Sequence, residues 1–137
     1  MKLVICEKPS VGAAVAAALG VTGRKDGYIE GNGYLISWCI GHLVQLSEAA
    51  AYGEQYKKWS YDSLPILPQE WQYTVAADKG KQFKILKDLM HRADVSEVVN
   101  ACDAGREGEL IFRFVYHQAG CKKPFTRPVS YTHLTLP

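Results

Sequence analysis

The sequence predicts an α/β fold, a mainly parallel sheet with flanking helices and a β-hairpin insertion. Three observations carry that prediction. Two apolar runs, MKLVIC at Met1 to Cys6 and VSEVVNA at Val95 to Ala101, read as strands, and each leads through an acid-bearing turn into a helix-compatible segment. Such continuous runs suit strands covered on both faces, as in parallel sheets. Between them, Gly31-Asn32-Gly33 separates two further strand-like stretches and supplies the positive-φ residues of a tight turn.

Met1 to Cys6 is expected to be central in the sheet. In EKPSVGAAVAAALG, Pro9 or Ser10 opens a helix, Val11 to Leu19 is apolar nearly all round, and Gly20 closes it in the left-handed cap conformation. A helix apolar all round is expected to be packed on most sides. GYIEGNGYLISWCIGHLVQL then reads as two strands in a hairpin. The following stretch, rich in aromatics and carrying Pro65 and Pro68, has no sustained period and reads as an irregular excursion ending in a strand at Trp71 to Val75.

From Asp78 the helical period returns. Phe83, Ile85, Leu86, Leu89 and Met90 form an apolar face, with Lys81, Lys84 and Asp88 opposite as a solvated face. Val95 to Ala101 makes the second buried strand, and Glu107 to Ala119 a helix closed by Gly120. Right-handed crossovers place both strands in one parallel sheet, and sites in open α/β sheets form at the carboxyl ends of strands. Glu7 and Asp103 therefore meet at one rim.

The totals set limits. At 137 residues, with 47% hydrophobic and 22% charged positions, the chain suits one ordinary globular core. Sixteen Lys+Arg against 14 Asp+Glu are too evenly balanced to argue for nucleic-acid binding by charge alone. Cys6, Cys39, Cys102 and Cys121 lack zinc-ligand spacing, and Cys6 and Cys102 end strand-like runs as small buried hydrophobes. Reduced thiols suit a cytoplasm. MKLVIC is too short and meets an acid too soon for a signal peptide, and no run approaches the ~18 apolar residues of a membrane helix, so no membrane partner is expected.

The chemistry concentrates in NACDAGREGELIFR, where Asp103, Glu107 and Glu109 fall within seven positions. Two unit charges about 4 Å apart repel by about 4 kcal/mol at an effective dielectric near 20. With Glu7 added, relief must come from protonation, from Lys8 and Arg106, or from a divalent cation. Mg²⁺ takes oxygen ligands, keeps several waters, and uses one or two carboxylates with substrate phosphates. Helix capping by Asp103, with Glu107 and Glu109 complementing the dipole, is the plain alternative.

Three motifs in order carry a resemblance: Glu7-Lys8-Pro9-Ser10 after the opening strand, WCIGHL at Trp38 to Leu43, and DAGREGELIFR at Asp103 to Arg113. Together they resemble the TOPRIM domain, a Rossmann-like fold, that begins type IA DNA topoisomerases, most closely the bacterial topoisomerase III group. The resemblance runs from Met1 to about Arg127, giving a TOPRIM domain over 1–127. It implies that Glu7 serves acid/base and phosphate chemistry, that Lys8 positions the scissile phosphate, and that Glu7, Asp103 and Glu107 hold Mg²⁺. Arg106 and His42 are implied at phosphate or DNA, although a lone histidine beside apolar residues is also an ordinary structural residue.

The family pattern carries a second aspartate where this chain has Gly105, so one expected ligand is missing, with Glu107 or Glu109 as candidates to compensate. The resemblance further implies single-stranded DNA as partner together with the remaining topoisomerase domains, a cytoplasmic, nucleoid-associated location, and a nucleophilic tyrosine in a later domain. The chain alone is then expected to lack relaxation activity and to bind DNA weakly and salt-sensitively. Trp38, Trp59 and Trp71 can stack on bases, or simply pack. Two other readings are a free-standing TOPRIM nuclease or primase-like protein, and a non-catalytic α/β module. Residues 128–137, ending VSYTHLTLP, resemble a translated sequencing adaptor and are expected to be a non-native tail, so Tyr131 and His133 receive no role.

Overall fold

A computed structural model describes residues 1–128. Its centre is a six-stranded sheet built from β1 (Lys2–Cys6), β2 (Gly23–Lys25), β3 (Tyr28–Gly31), β4 (Tyr34–Trp38), β7 (Glu97–Ala101) and β8 (Phe125–Thr126). The strand order is β2-β3-β4-β1-β7-β8. β1 lies between β4 and β7, parallel to both, and β7 pairs in parallel with β8. β3 runs antiparallel to both its neighbours, β2 and β4. The hairpin therefore forms through the expected turn, with Asn32 and Gly33 at φ 49° and 81°, but it is built into the main sheet through β4. Two separate strands, β5 (Val44–Leu46) and β6 (Tyr73–Val75), form a small antiparallel sheet of their own.

Period-2 alternation divides the core. Leu3 and Ile5 of β1 face one cluster with Phe83, Leu86 and Met90 of α2 (Gly80–His91) and with Ile111, Phe112 and Val115 of α3 (Arg106–Gln118). Val4 and Cys6 face the opposite cluster with Ala16 of α1 (Pro9–Ala18), Ile29 and Ile36. The α2 face is the one its period predicts, and Lys81 on the far side pairs with Asp26 at 2.7 Å.

α1 corrects an expectation. Of its residues only Gly12 and Ala16 are buried, while Ala13, Ala14, Ala17 and Ala18 are exposed. Its apolarity comes from alanine, which serves helix propensity without requiring burial, and the sheet covers one side only. Trp38 fixes that side: a Cβ on Gly12 would stand 2.7 Å from its ring. The helix end is tied to the hairpin, because Asn32 Nδ2 donates to Gly20 O at 2.8 Å.

Val44 to Leu46 does not continue the hairpin strand as expected. The chain leaves the main sheet after Trp38, and Gly41 at φ 61° turns the GHL segment toward α3. The excursion is irregular as read, made of short 3-10 turns, with its strand shortened to Tyr73–Val75. Trp59 and Trp71 are exposed, at 81% and 56%, and Trp71 meets Tyr52 edge-on, so neither belongs to the core. The proposed tail from residue 129 onward lies outside the described residues. No helix among the described residues is long and apolar enough to cross a membrane.

Candidate functional site

Three neighbouring strands end side by side. Cys6 closes β1, Cys39 follows β4 and Cys102 follows β7, with Cys39 N donating to Cys6 O at 2.8 Å. All four cysteines are buried and free. A hydrogen bond from the Cys39 thiol to Cys102 and burial hold Cys39 well above its ordinary pKa, and burial pushes Cys6 up to about 12. These buried thiols form an apolar floor, as expected of small buried hydrophobes, and the residues after Cys6 and Cys102, Glu7 and Asp103, carry the polar chemistry.

Glu7 and Asp103 meet above that floor. The in-register pairing of Cys6 with Ala101 places them together, and Asp103 N donates to Glu7 Oε2 at 3.2 Å across 96 positions of sequence. The Asp103 carboxylate has no ion-pair partner among the described residues. Gly108 allows this arrangement, since a Cβ there would stand 2.2 Å from Asp103 O. Gly105 has no such duty: its φ is −117° and nothing lies within 4 Å of a Cβ built on it. A cleft of about 410 Å³ lined by Ala101, Cys102, Asp103, Ala104 and Pro128 opens beside the turn.

The other expected residues gather nearby in different states. His42 Nε2 and Glu107 Oε1 are 2.5 Å apart, so the GHL segment is fastened to the first turn of α3. Lys79 Nζ donates to His42 O at 3.1 Å, and the His42 ring lies 6.3 Å from that of Phe114. Lys8 stands at the N-cap of α1 and Arg106 at the start of α3, both exposed and without ion-pair partners among the described residues. The side chain of Glu107 is thus turned to a histidine. Among the described residues no group of three His, Cys, Asp or Glu comes together closely enough to hold a metal ion.

The donor set still suits Mg²⁺ in part. The Glu7 carboxylate, held at the backbone amide of the exposed Asp103, suits an ion that takes only one or two carboxylates and otherwise water and phosphate.

A family model described as the Toprim domain matches residues 2–132. The chain belongs to the Toprim domain family. This Toprim chain is 47% identical over 126 residues to a DNA topoisomerase 3 of Shouchella clausii (strain KSM-K16), a match covering 92% of the chain and 17% of that protein. It is 42% identical over 125 residues to DNA topoisomerase 3 proteins of Staphylococcus epidermidis (strain ATCC 12228 / FDA PCI 1200) and Bacillus anthracis, covering 91% of the chain and 18% and 17% of theirs. The chain therefore spans under a fifth of the length of these relatives.

Glu109 is engaged by other side chains. Its Oε1 accepts from Arg113 Nε at 2.7 Å, and its Oε2 accepts from Asn100 Nδ2 at 3.0 Å and Arg127 Nε at 2.6 Å. Arg113 first, then Arg127, holds this carboxyl below its ordinary value of 4.5. A depressed folded pKa gives stability that is present above the unfolded pKa and lost as pH falls through the folded one. Stability is expected to decline below about pH 4.5, with Asp94 and Glu97, also held low, sharing the decline. Glu109→Gln should make that decline shallower and cost about 0.5–1 kcal/mol at pH 7, discounted because the side chain is 35% exposed. Urea denaturation of both proteins across pH 3 to 7 measures this.

Arg127 and Asn100 were not singled out from the sequence. Asn100 had a sign, a polar residue inside an apolar strand, whereas Arg127 looks like any cation near a chain end.

Proposed function

We propose that the chain is the metal- and phosphate-handling part of a type IA DNA topoisomerase, acting on single-stranded DNA with the remaining domains of a longer protein. The observation that supports this best is the Asp103–Glu7 contact, which unites two motifs at the carboxyl ends of adjacent parallel strands. The names of the relatives, DNA topoisomerase 3, support the reaction class.

In this reading Glu7 and Asp103 hold Mg²⁺, and Glu107 joins them to the extent that His42 releases it. The bound ion supplies charge neutralisation at the scissile phosphate. Lys8, exposed one residue past Glu7, faces the same phosphate, and Glu7 is placed to take or return a proton there. Arg106 adds a second cation at the start of α3, where backbone amides also favour an anion. His42 keeps Glu107 oriented through a hydrogen bond, so it acts on the phosphate side through its partner.

Titrating Mn²⁺ into the chain, followed by electron paramagnetic resonance, tests the metal reading. Asp103→Asn is expected to weaken binding at least tenfold, since even loss of an outer partner of a ligand costs about ten- to a hundredfold. Gly105→Asp is expected to tighten it, because that position is open, extended and at the N-cap of α3, where aspartate is favoured. Equal affinity in wild type and Asp103→Asn would leave the acids as helix caps.

A further inference from the structure

We propose that Arg127 is the positioning residue of the acidic rim, clamping the backbone of the Asp103 turn to α3. Pairing of Val99 with Thr126 sets Arg127 beside the end of β7, where its side chain is 19% exposed. Its Nη1 donates to Cys102 O at 2.9 Å and to Asp103 O at 3.3 Å. Its Nε donates to Glu109 Oε2, and Nη2 lies 2.5 Å from the same oxygen without an aligned hydrogen bond, a contact of charge alone. One guanidinium thus joins the two carbonyls that follow β7 to the first turns of α3.

The clamp is continuous with the core. Asn100, wholly buried, donates to Glu109 and accepts from Cys102 N at 3.2 Å, so the turn is held through its amide on one side and its carbonyls on the other. The planar fork of arginine can reach two carbonyls and a carboxylate at once, whereas an ammonium can satisfy only part of that set. Holding the turn before an ion arrives removes an ordering cost at binding. A residue's backbone freedom is large enough that releasing one or two residues weakens binding by about tenfold or more.

This inference rests on Asp103 as a metal contact, and two readouts on the full chain separate the two ideas. Arg127→Gln is expected to unfold cooperatively as wild type does, to exchange amide hydrogens in residues 102–106 about tenfold faster, and to bind Mn²⁺ about tenfold more weakly. Arg127→Lys should recover part of both. Asp103→Asn should lose Mn²⁺ affinity without faster exchange. Wild-type exchange and affinity in Arg127→Gln, with affinity lost in Asp103→Asn, would overturn the clamp and leave the metal site standing. Unchanged affinity in Asp103→Asn would remove the metal site, and the exchange rates alone would then decide whether Arg127 holds the turn. Loss of protection throughout the chain in both Arg127 variants would make it a residue of the fold and overturn the proposal.

Discussion

Gly108→Ala is expected to lower stability by about 3 kcal/mol and to displace Asp103 from Glu7. In an ordinary helix the change would help, because alanine is favoured over glycine by about 1 kcal/mol. Here the new methyl would meet Asp103 O at 2.2 Å, Asp103 N at 2.7 Å and Asp103 C at 2.9 Å. All three are backbone atoms, so no side chain can swing aside, and either the turn or the start of α3 must move. Overpacking of a rigid site costs typically 1–3 kcal/mol, and a backbone obstacle lies at the upper end. Gly105→Ala is the control: the same chemical change, three residues earlier, into open space at an ordinary φ, should cost no more than about 1 kcal/mol, the loss of a tolerated N-cap residue. Urea midpoints for the two variants, with Mn²⁺ affinity for the folded fraction, decide it. Equal midpoints would show that α3 does not press on the turn as tightly as the geometry requires.

The contrast between the two glycines marks what the sequence could and could not show. DAGREGEL identifies an acid-bearing turn before a helix, but nothing within it separates the duties of its two glycines. Only the path of the Asp103 turn against the first turn of α3 distinguishes them: the Asp103 backbone lies against Gly108, while Gly105 faces open space. Strand β1, strand β7 and helices α2 and α3 were legible because local pattern and tertiary demand agree. Continuous apolar runs become central strands, and a 3.6-residue period becomes the buried stripe of Phe83, Leu86 and Met90. α1 was misjudged because an alanine-rich helix carries no period: its composition reports propensity, and only Gly12 beneath Trp38 records the packed side.

The candidate site divides the same way. Glu7 and Asp103 could be brought together from topology alone, since parallel in-register neighbours deliver successive residues to one edge. Glu109 could not be separated from Glu107, two positions away on the same first turns of a helix. Their difference comes from partners on other elements: His42 beyond β4 takes Glu107, while Arg127 after β8 and Asn100 within β7 take Glu109. A local acidic cluster thus resolves into a rim-facing carboxylate, a histidine-bound one and one spent on ion pairs.

Asn100→Asp is expected to lower stability strongly and to reverse its dependence on pH. The volume is unchanged, so no cavity forms, but the Nδ2 donor to Glu109 becomes an oxygen and a second carboxylate is buried 3.0 Å from the first. Losing a buried donor and leaving an acceptor unpaired costs about 1–3 kcal/mol, and a charge at the wholly buried position 100 adds to it even though Glu109 is itself 35% exposed. The fold can escape by keeping the new carboxyl protonated, since the acid form again offers a hydrogen to Glu109. Its folded pKa then lies above its unfolded one, so stability is greatest below the unfolded pKa and is lost as pH rises through the folded value. From pH 7 down to about pH 5 the variant should gain stability while wild type stays nearly level, the opposite of the acid loss that Glu109 imparts below its ordinary pKa. Urea midpoints at pH 5 and pH 7 measure the crossing trends. Parallel trends in variant and wild type would mean that Asn100 and Glu109 do not share the buried contact from which the rim is held.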